Sequence, residues 1–184
     1  MGSCASPAAL IQIFPIFRGQ RKALHVIGNS QQSLMKIKEG EVFAVKISLG
    51  YGFLQFVSVG NVGVEIVRVL NQILENDSVS QEQVNRKERF SIQFVLKAAL
   101  RRKLVHRVGT FSIPQNYEIP KTARSEHNVQ GERIGWHIVD QLTLQRVLKK
   151  KLNAKELLLS PHGIPNDTLL IEWLETDWKL ENWQ

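Results

Sequence analysis

The sequence predicts an α+β domain made mainly of antiparallel strands, arranged as a strongly bent sheet or a partly open barrel, with short helices and a helical C-terminus. Two observations carry this prediction. Over residues 40–70, three runs rich in Val, Ile and Phe are separated by glycine-bearing turns, the first of them predicted over residues 49–52, which is the pattern of an antiparallel meander. Near the C-terminus, Leu170, Trp173 and Leu174 recur at helical spacing, which predicts an amphipathic last helix.

The first strand of the meander has apolar side chains on both of its faces: Phe43, Val45 and Ile47 on one, Val42 and Ala44 on the other. We therefore expect other elements to cover both sides of the sheet, so that the meander is a scaffold and the binding surface lies elsewhere. The third strand is predicted over residues 62–70, and we expect Glu65 and Arg68 to mark the places where it meets solvent.

The elements that follow are assigned from capping signals, alternation and composition. Ser80 and Gln83 fit a capping box, which predicts one helical turn. Further segments are a strand over 89–96, a helix over 97–103, strands over 104–113 and 134–139, an ambiguous segment over 142–148, a helix over 154–159 capped by Asn153, and a last helix capped by Asn166 or Asp167. A long loop is predicted from Pro114 to Gly131, and loops of that length are often functional.

Residues 1–34 differ in composition from the rest of the chain. They contain no Asp or Glu, show little periodicity and end in a polar run, and strand patterning begins immediately after Met35. We interpret residues 1–34 as a poorly ordered N-terminal extension and residues 35–184 as one β-rich domain, with Met35 as a candidate start. The competing interpretation is an added strand through residues 10–14.

Composition narrows the class of protein. The 184 residues carry a formal net charge of +7 and a hydrophobic fraction of 43%, which is ordinary for a globular domain. The single cysteine, Cys4, cannot form an internal disulfide, and the first residues lack the order of a secretory signal, so we expect a cytoplasmic protein. No apolar run is long enough for a membrane span, and we expect no membrane partner.

The sequence contains no motif that predicts catalysis. A phosphate loop, a dinucleotide fingerprint and a nucleophile elbow are all missing. None of the five histidines has a metal-ligand spacing with another histidine or with the cysteine. We therefore predict no enzyme, no metal and no cofactor. His137, three residues before Asp140, is the enzymatic alternative, and a strand histidine bonded to a backbone carbonyl is the interpretation that we prefer.

Two charged regions are candidate binding surfaces. One consists of two basic runs that would bind nucleic acid through phosphate contacts: Arg101, Arg102 and Lys103, then Lys149, Lys150 and Lys151. We favour a solvated basic face there, because the interleaved aromatic residues of single-strand binders are missing. The other is the acidic C-terminal tail, where Trp178 and Trp183 are typical of a protein interface; simple packing of the tail onto the β-sheet or barrel is the equal alternative.

Several segments resemble the immunity protein 26 family of bacterial polymorphic-toxin systems. The resembling segments are Lys38-Glu-Gly-Glu-Val-Phe-Ala-Val45, Tyr51-Gly-Phe53, Val64-Glu-Ile-Val-Arg-Val69, Arg107-Val-Gly-Thr-Phe111 with Pro114 and Pro120, and Gly135-Trp136. The similarity extends from Met35 to about Trp178. It is a pattern of glycines, prolines and strand hydrophobics.

The resemblance implies a mainly β protein without catalytic residues, which binds and neutralises a partner toxin in the producing cell. From expected exposure and composition alone, the candidate contact groups are Arg124 and His127 in the predicted loop, together with Trp178 and Trp183 in the tail. Inhibitors of nucleases are often acidic, whereas this chain is basic. The partner would then be a toxin with an acidic surface or one that is not a nuclease. The alternative is a basic β-barrel module that binds nucleic acid.

Overall fold

The computed structural model describes residues 36–184, and the predictions about residues 1–34 and Met35 lie outside the described residues. Residues Ile37–Gln184 pack as one compact unit. Its elements are β1 (Glu41–Ile47), β2 (Gly50–Val59), β3 (Glu65–Val69), α1 (Gln81–Val84), β4 (Phe90–Phe94), α2 (Leu96–Arg101), β5 (Val105–Thr110), β6 (Thr122–Val129), β7 (Glu132–Asp140), β8 (Arg146–Lys149), a 3-10 turn (Glu156–Leu158), α3 (Asp167–Glu175) and a second 3-10 turn (Leu180–Asn182).

The strands form two open antiparallel sheets, which confirms the α+β class with a C-terminal helix. The larger sheet has the order β4-β3-β2-β1-β5 and the smaller one the order β6-β7-β8, so neither sheet closes into a barrel. The meander is β1 to β3. In the part of the chain that the structure describes, every helix is too short or too polar to cross a lipid bilayer.

Apolar layers cover both faces of the five-stranded sheet, as the alternation in β1 predicts. On one face, Phe43, Leu54, Val67 and Ile92 pack with Leu170 and Leu174 of α3. On the other face, Val42, Ala44 and Phe53 pack with Val79 and Val84 at α1. Ser80 and Gln83 form the predicted capping box at α1, and Asn166 caps α3 by accepting a hydrogen bond from the Leu169 N–H.

Gly52 is needed for close packing, and the predicted turn over residues 49–52 is wrong. The turn consists of Ser48 and Leu49, so Gly52 lies inside β2 opposite Val45. A Cβ at this position would be 2.8 Å from Leu174 Cδ1. The missing side chain therefore lets α3 approach the sheet.

The expectation that Glu65 and Arg68 meet solvent is wrong. Arg68 has 1% of its surface exposed, and its guanidinium donates to Gln55 Oε1 at 2.6 Å and to Glu88 Oε2 at 3.1 Å. Glu65 is also buried and lies 2.8 Å from Lys97 Nζ. Each charge is buried because segments distant in sequence supply partners, which strand alternation alone does not reveal.

The predicted loop from Pro114 to Gly131 contains a strand instead. β6 pairs with β7 along its whole length, and the two strands are joined at Gln130 and Gly131, both with positive φ. Those angles, 51° and 87°, match the primed turns that close tight hairpins. The region expected to be a flexible contact loop is therefore part of a sheet.

Candidate functional site

The four tryptophans of the chain form one continuous cluster. Trp173 and Trp178 stack with ring centroids 4.9 Å apart, Trp178 lies 5.6 Å from Trp183, and Trp183 meets Trp136 edge-on at 5.0 Å. The local fold produces the stack because α3 ends after Glu175, and the N–H of Trp178 donates back to the carbonyl of Trp173 at 3.0 Å. The tail thereby brings two indoles face to face.

Arg124 holds this cluster against β6. Its guanidinium lies 4.8 Å from the ring centroid of Trp136 and 4.5 Å from that of Trp183. It also donates to the backbone carbonyls of Leu159, Leu180 and Trp183 at 3.3, 2.6 and 2.8 Å. Burial, with a smaller contribution from Arg133, lowers the pKa of Arg124 to about 10, so the group remains charged at neutral pH.

The sequence placed Arg124 among exposed contact groups, whereas the structure buries it completely. That placement came from composition and from the exposure expected of residues 121–131 as a loop. In the strand, Arg124 faces the tail and fixes its position. Its role is to support the surface formed by the tryptophans.

Beside the cluster lies an open groove of about 480 Å³, which we call the tryptophan groove. It is lined by Ser125 and Glu126 of β6, the segment Pro161–Pro165, Leu169 of α3, and Trp173, Trp178 and Trp183. The two predicted contact residues Trp178 and Trp183 are therefore neighbours on one concave surface. Sequence reasoning missed the other half of the groove, because Pro161–Pro165 and Leu169 carry no signal that separates them from ordinary loop and helix residues.

The groove contains an ionised carboxylate. Glu126 Oε1 accepts hydrogen bonds from Trp183 Nε1 at 2.9 Å and from Arg133 Nη1 at 3.3 Å, and Oε2 accepts one from Asn128 at 3.3 Å. Burial raises the pKa of Glu126, but the bonds from Asn128, Trp183 and Arg133 outweigh it and leave the pKa below its usual value. The groove thus combines aromatic surface with a carboxylate that Arg133 partly neutralises.

His162, on the opposite wall, is neutral at physiological pH. Burial lowers its pKa, and the positive charge of Arg146 lowers it further. Its Nδ1 lies 3.4 Å from Gln141 Oε1. The wall therefore adds a polar group and no positive charge beyond that of Arg133, which already pairs with Glu126.

His127 is not among the residues that line the groove. Its side chain lies on the other face of the small sheet from Arg124 and Glu126, because side chains alternate along β6. There its ring centroid lies 4.5 Å from that of His137. Burial, His127 and Arg146 all lower the pKa of His137.

His137 and Asp140 do not form the pair considered as an enzymatic alternative. They are three positions apart in β7 and therefore face opposite sides of the sheet. The Asp140 carboxylate instead accepts hydrogen bonds from the N–H groups of Leu142 and Thr143 and from the Thr143 hydroxyl. Those bonds lower the pKa of Asp140 and identify it as the cap of the β7–β8 turn.

The two basic runs lie beside different sheets. Arg101 is the last residue of α2, and Arg102 and Lys103 connect it to β5 of the large sheet. Lys149 is the last residue of β8, and Lys150 and Lys151 follow it. Arg102 pairs with Asp167 at 3.4 Å, and Lys149 pairs with Glu156. Each run is thus partly neutralised by its own acidic partner.

A second cavity, the apolar pocket, lies at one end of the large sheet. Its volume is about 420 Å³, and its lining includes Ile66, Ile92, Gln93, Ile119, Pro120, Lys121 and Leu142. Asn61 Nδ2 donates to the carbonyls of Gln141 and Leu142 and so ties the β2–β3 turn to the β7–β8 turn. The sequence did not predict this pocket, because its walls come from well-separated segments.

Among residues 36–184, no group of three or more His, Cys, Asp or Glu side chains is arranged to hold a metal ion. No protein-family model, curated protein sequence or solved structure matches the chain. The function has therefore to be inferred from the surfaces themselves.

Proposed function

We propose that this chain is a bacterial immunity protein that binds a cognate toxin and neutralises it as a stoichiometric complex, with the tryptophan groove as its contact surface. The observation that carries the proposal is the concave grouping of Trp173, Trp178 and Trp183 around the ionised Glu126. Tryptophan is strongly enriched among the residues that dominate binding energy at protein interfaces. The resemblance to the immunity protein 26 family supplies the toxin as the partner.

The groove is ordered before any partner arrives. Trp183 is fixed by its indole bond to Glu126 and by the Arg124 bond to its carbonyl. Trp178 is fixed by stacking on Trp173, and both meet the core residue Phe90 edge-on. A binding surface that is already rigid loses little conformational entropy on association, which favours a tight complex.

The mechanism that we propose is steric. A toxin segment enters the groove, and the body of the immunity protein then covers the toxin active site or holds the toxin in an inactive form. No catalytic group of the chain is required. Complex formation in the cytoplasm of the producing cell would protect that cell.

The direct test is co-expression with the toxin domain encoded beside the gene for this chain. We expect the toxin alone to arrest growth, the chain to restore it, and the two proteins to co-purify at a fixed ratio measured by native mass spectrometry. Arrested growth despite abundant, folded chain, with no co-purification, would refute the proposal.

A further inference from the structure

We infer that the tryptophan groove receives its partner as an extended β-strand added to the free edge of β6. This rests on the proposed function and names the form in which the partner binds. The first observation is that the chain itself begins such a strand. The N–H of Arg124 donates to the carbonyl of Ser160 at 3.0 Å, and the N–H of His162 donates to the carbonyl of Arg124 at 2.7 Å. Pro161 forms a parallel bridge with Arg124.

Beyond Arg124, no residue in the part of the chain that the structure describes pairs with the same edge of β6. In an antiparallel pair, the N–H and C=O of one residue point to the same side, and alternate residues point to opposite sides. Because the backbone N–H and C=O of Arg124 point away from β7, the backbone N–H and C=O of Glu126 and Asn128 do so too. The register shift in this hairpin places its extra residue, Ile134, on β7, and the alternation along β6 continues. Among residues 36–184, the backbone groups of Glu126 and Asn128 have no backbone partner.

The segment over residues 160–162, which pairs with Arg124, ends at Gly163, where the chain leaves β6 and this edge stays open. Its φ is +119°, a conformation that favours glycine, and within residues 36–184 no heavy atom apart from its own and its chain neighbours' lies within 4 Å of the place where a Cβ would be. Glu126 is the next residue after Arg124 whose backbone groups point away from β7, and it also lines the tryptophan groove. Unpaired strand edges are templates for a further strand, and here the template adjoins an aromatic wall.

The chemistry of the groove selects the side chains of the added strand. Alternate side chains of an extended segment point the same way, so every second one would meet the indoles and Glu126. The tryptophan cluster already packs against guanidinium groups: Arg124 lies 4.5 Å from the ring centroid of Trp183, which lines the groove, and Arg133 lies 4.9 Å from that of the neighbouring Trp136. The favoured occupant is an extended protein segment with Arg or Lys at one of these positions, which stacks on tryptophan and pairs with Glu126.

The test uses a library of random linear peptides selected against the immobilised full chain. We expect enriched peptides to contain a basic residue and to slow hydrogen exchange at the amides of Glu126 and Asn128. N-methylation at alternate peptide positions should weaken binding about tenfold or more, the loss expected when one backbone hydrogen bond is removed, whereas methylation at intervening positions should have little effect. This period of two is specific to strand addition.

A matched pair of variants isolates the backbone contribution. Glu126→Ala and Glu126→Pro both lose the carboxylate, but only Glu126→Pro loses the outward N–H, and proline is tolerated where that N–H faces away from the paired strand. We expect Glu126→Pro to bind the peptides at least about tenfold more weakly than Glu126→Ala. If the proline variant does not fold, the N-methyl series decides alone.

Failure of this inference differs from failure of the proposed function. Absence of enriched peptides, or binding that is insensitive to N-methylation, overturns strand addition even if the toxin is neutralised. If the peptides bind as described but the toxin is not neutralised, the strand-addition site is supported and the proposed function is refuted.

Discussion

Arg124 donates a 2.8 Å hydrogen bond to the backbone carbonyl of Trp183 while its guanidinium lies 4.5 Å from the centroid of the same residue's ring. One buried cation on β6 thus holds both the backbone and the indole at the end of the chain. The groove depends on this relationship, because Trp183 forms one of its walls. The predictions below begin with it.

Replacing Arg124 should destabilise the whole domain. Arg124→Met removes bonds to three carbonyls, and we expect the free energy of unfolding to fall by about 3 kcal/mol, because hydrogen bonds to charged groups contribute about 1.5–3 kcal/mol each and the exposed carbonyls regain some water. The matched control is Arg133→Met. It also removes a guanidinium that packs on Trp136, but Arg133 is exposed, so this substitution should lower the free energy of unfolding by less than about 0.5 kcal/mol. Urea unfolding measures both, and equal losses would contradict this role of Arg124.

The hydrogen bond between Glu126 and the Trp183 indole predicts that stability and the indole N–H resonance both change at acidic pH. The folded pKa of Glu126 lies below its ordinary value of 4.5, so its contribution to stability is present above that value and is lost as the pH falls through the folded pKa. The indole N–H resonance of Trp183 should shift in the same window. In Glu126→Gln, which still accepts from the indole, this shift should disappear. A Trp183 signal that titrates identically in both proteins would exclude Glu126 as its cause.

Gly52 and Leu174 should be energetically coupled. Gly52→Ala places a methyl group where Leu174 Cδ1 is 2.8 Å away, and overpacking of this kind costs about 1–3 kcal/mol. In a Leu174→Ala background the new methyl has room, so the cost of Gly52→Ala should fall by at least about 1 kcal/mol. A double-mutant cycle from thermal unfolding provides the measurement. Strict additivity would mean that α3 does not pack on β2 in this way.

The basic runs should not bind nucleic acid with useful affinity. Arg101→Glu combined with Lys103→Glu reverses two exposed charges on the run next to α2, and we expect toxin neutralisation to be unchanged. Fluorescence anisotropy with labelled single-stranded DNA and RNA should show binding only at low salt, as expected for weak phosphate contacts. Tight binding at physiological salt that the charge reversal abolishes would favour the nucleic-acid module over the immunity protein.

The sequence predicts the large sheet and the last helix well, because their signals are local. Alternation in β1 and helical spacing near Leu170 depend on residues close in sequence. β6 was missed because its sequence from Thr122 to Val129 has no apolar alternation, and its strand form depends on pairing with β7. Arg68 was misassigned for a related reason, since its partners Gln55 and Glu88 are distant in sequence.

The candidate site was predicted only in part. Trp178 and Trp183 were singled out from composition, and they line one groove. The remaining wall could not be predicted, because it depends on the bridge between Arg124 and Pro161, which joins segments 37 residues apart (161 − 124). Arg124 itself was taken as a surface contact, since a charged residue in a predicted loop gives no sign that it will be enclosed by two tryptophans.

The most direct test of the tryptophan groove compares one substitution at two candidate surfaces. Leu169 lines the groove and Leu142 lines the apolar pocket, and both side chains are exposed, at 37% and 74%. The dissociation constant of the complex with the toxin domain, measured by calorimetry, should rise at least about tenfold for Leu169→Arg and stay within about twofold for Leu142→Arg. Loss of binding in Leu142→Arg with full binding in Leu169→Arg would contradict the assignment and transfer it to the apolar pocket.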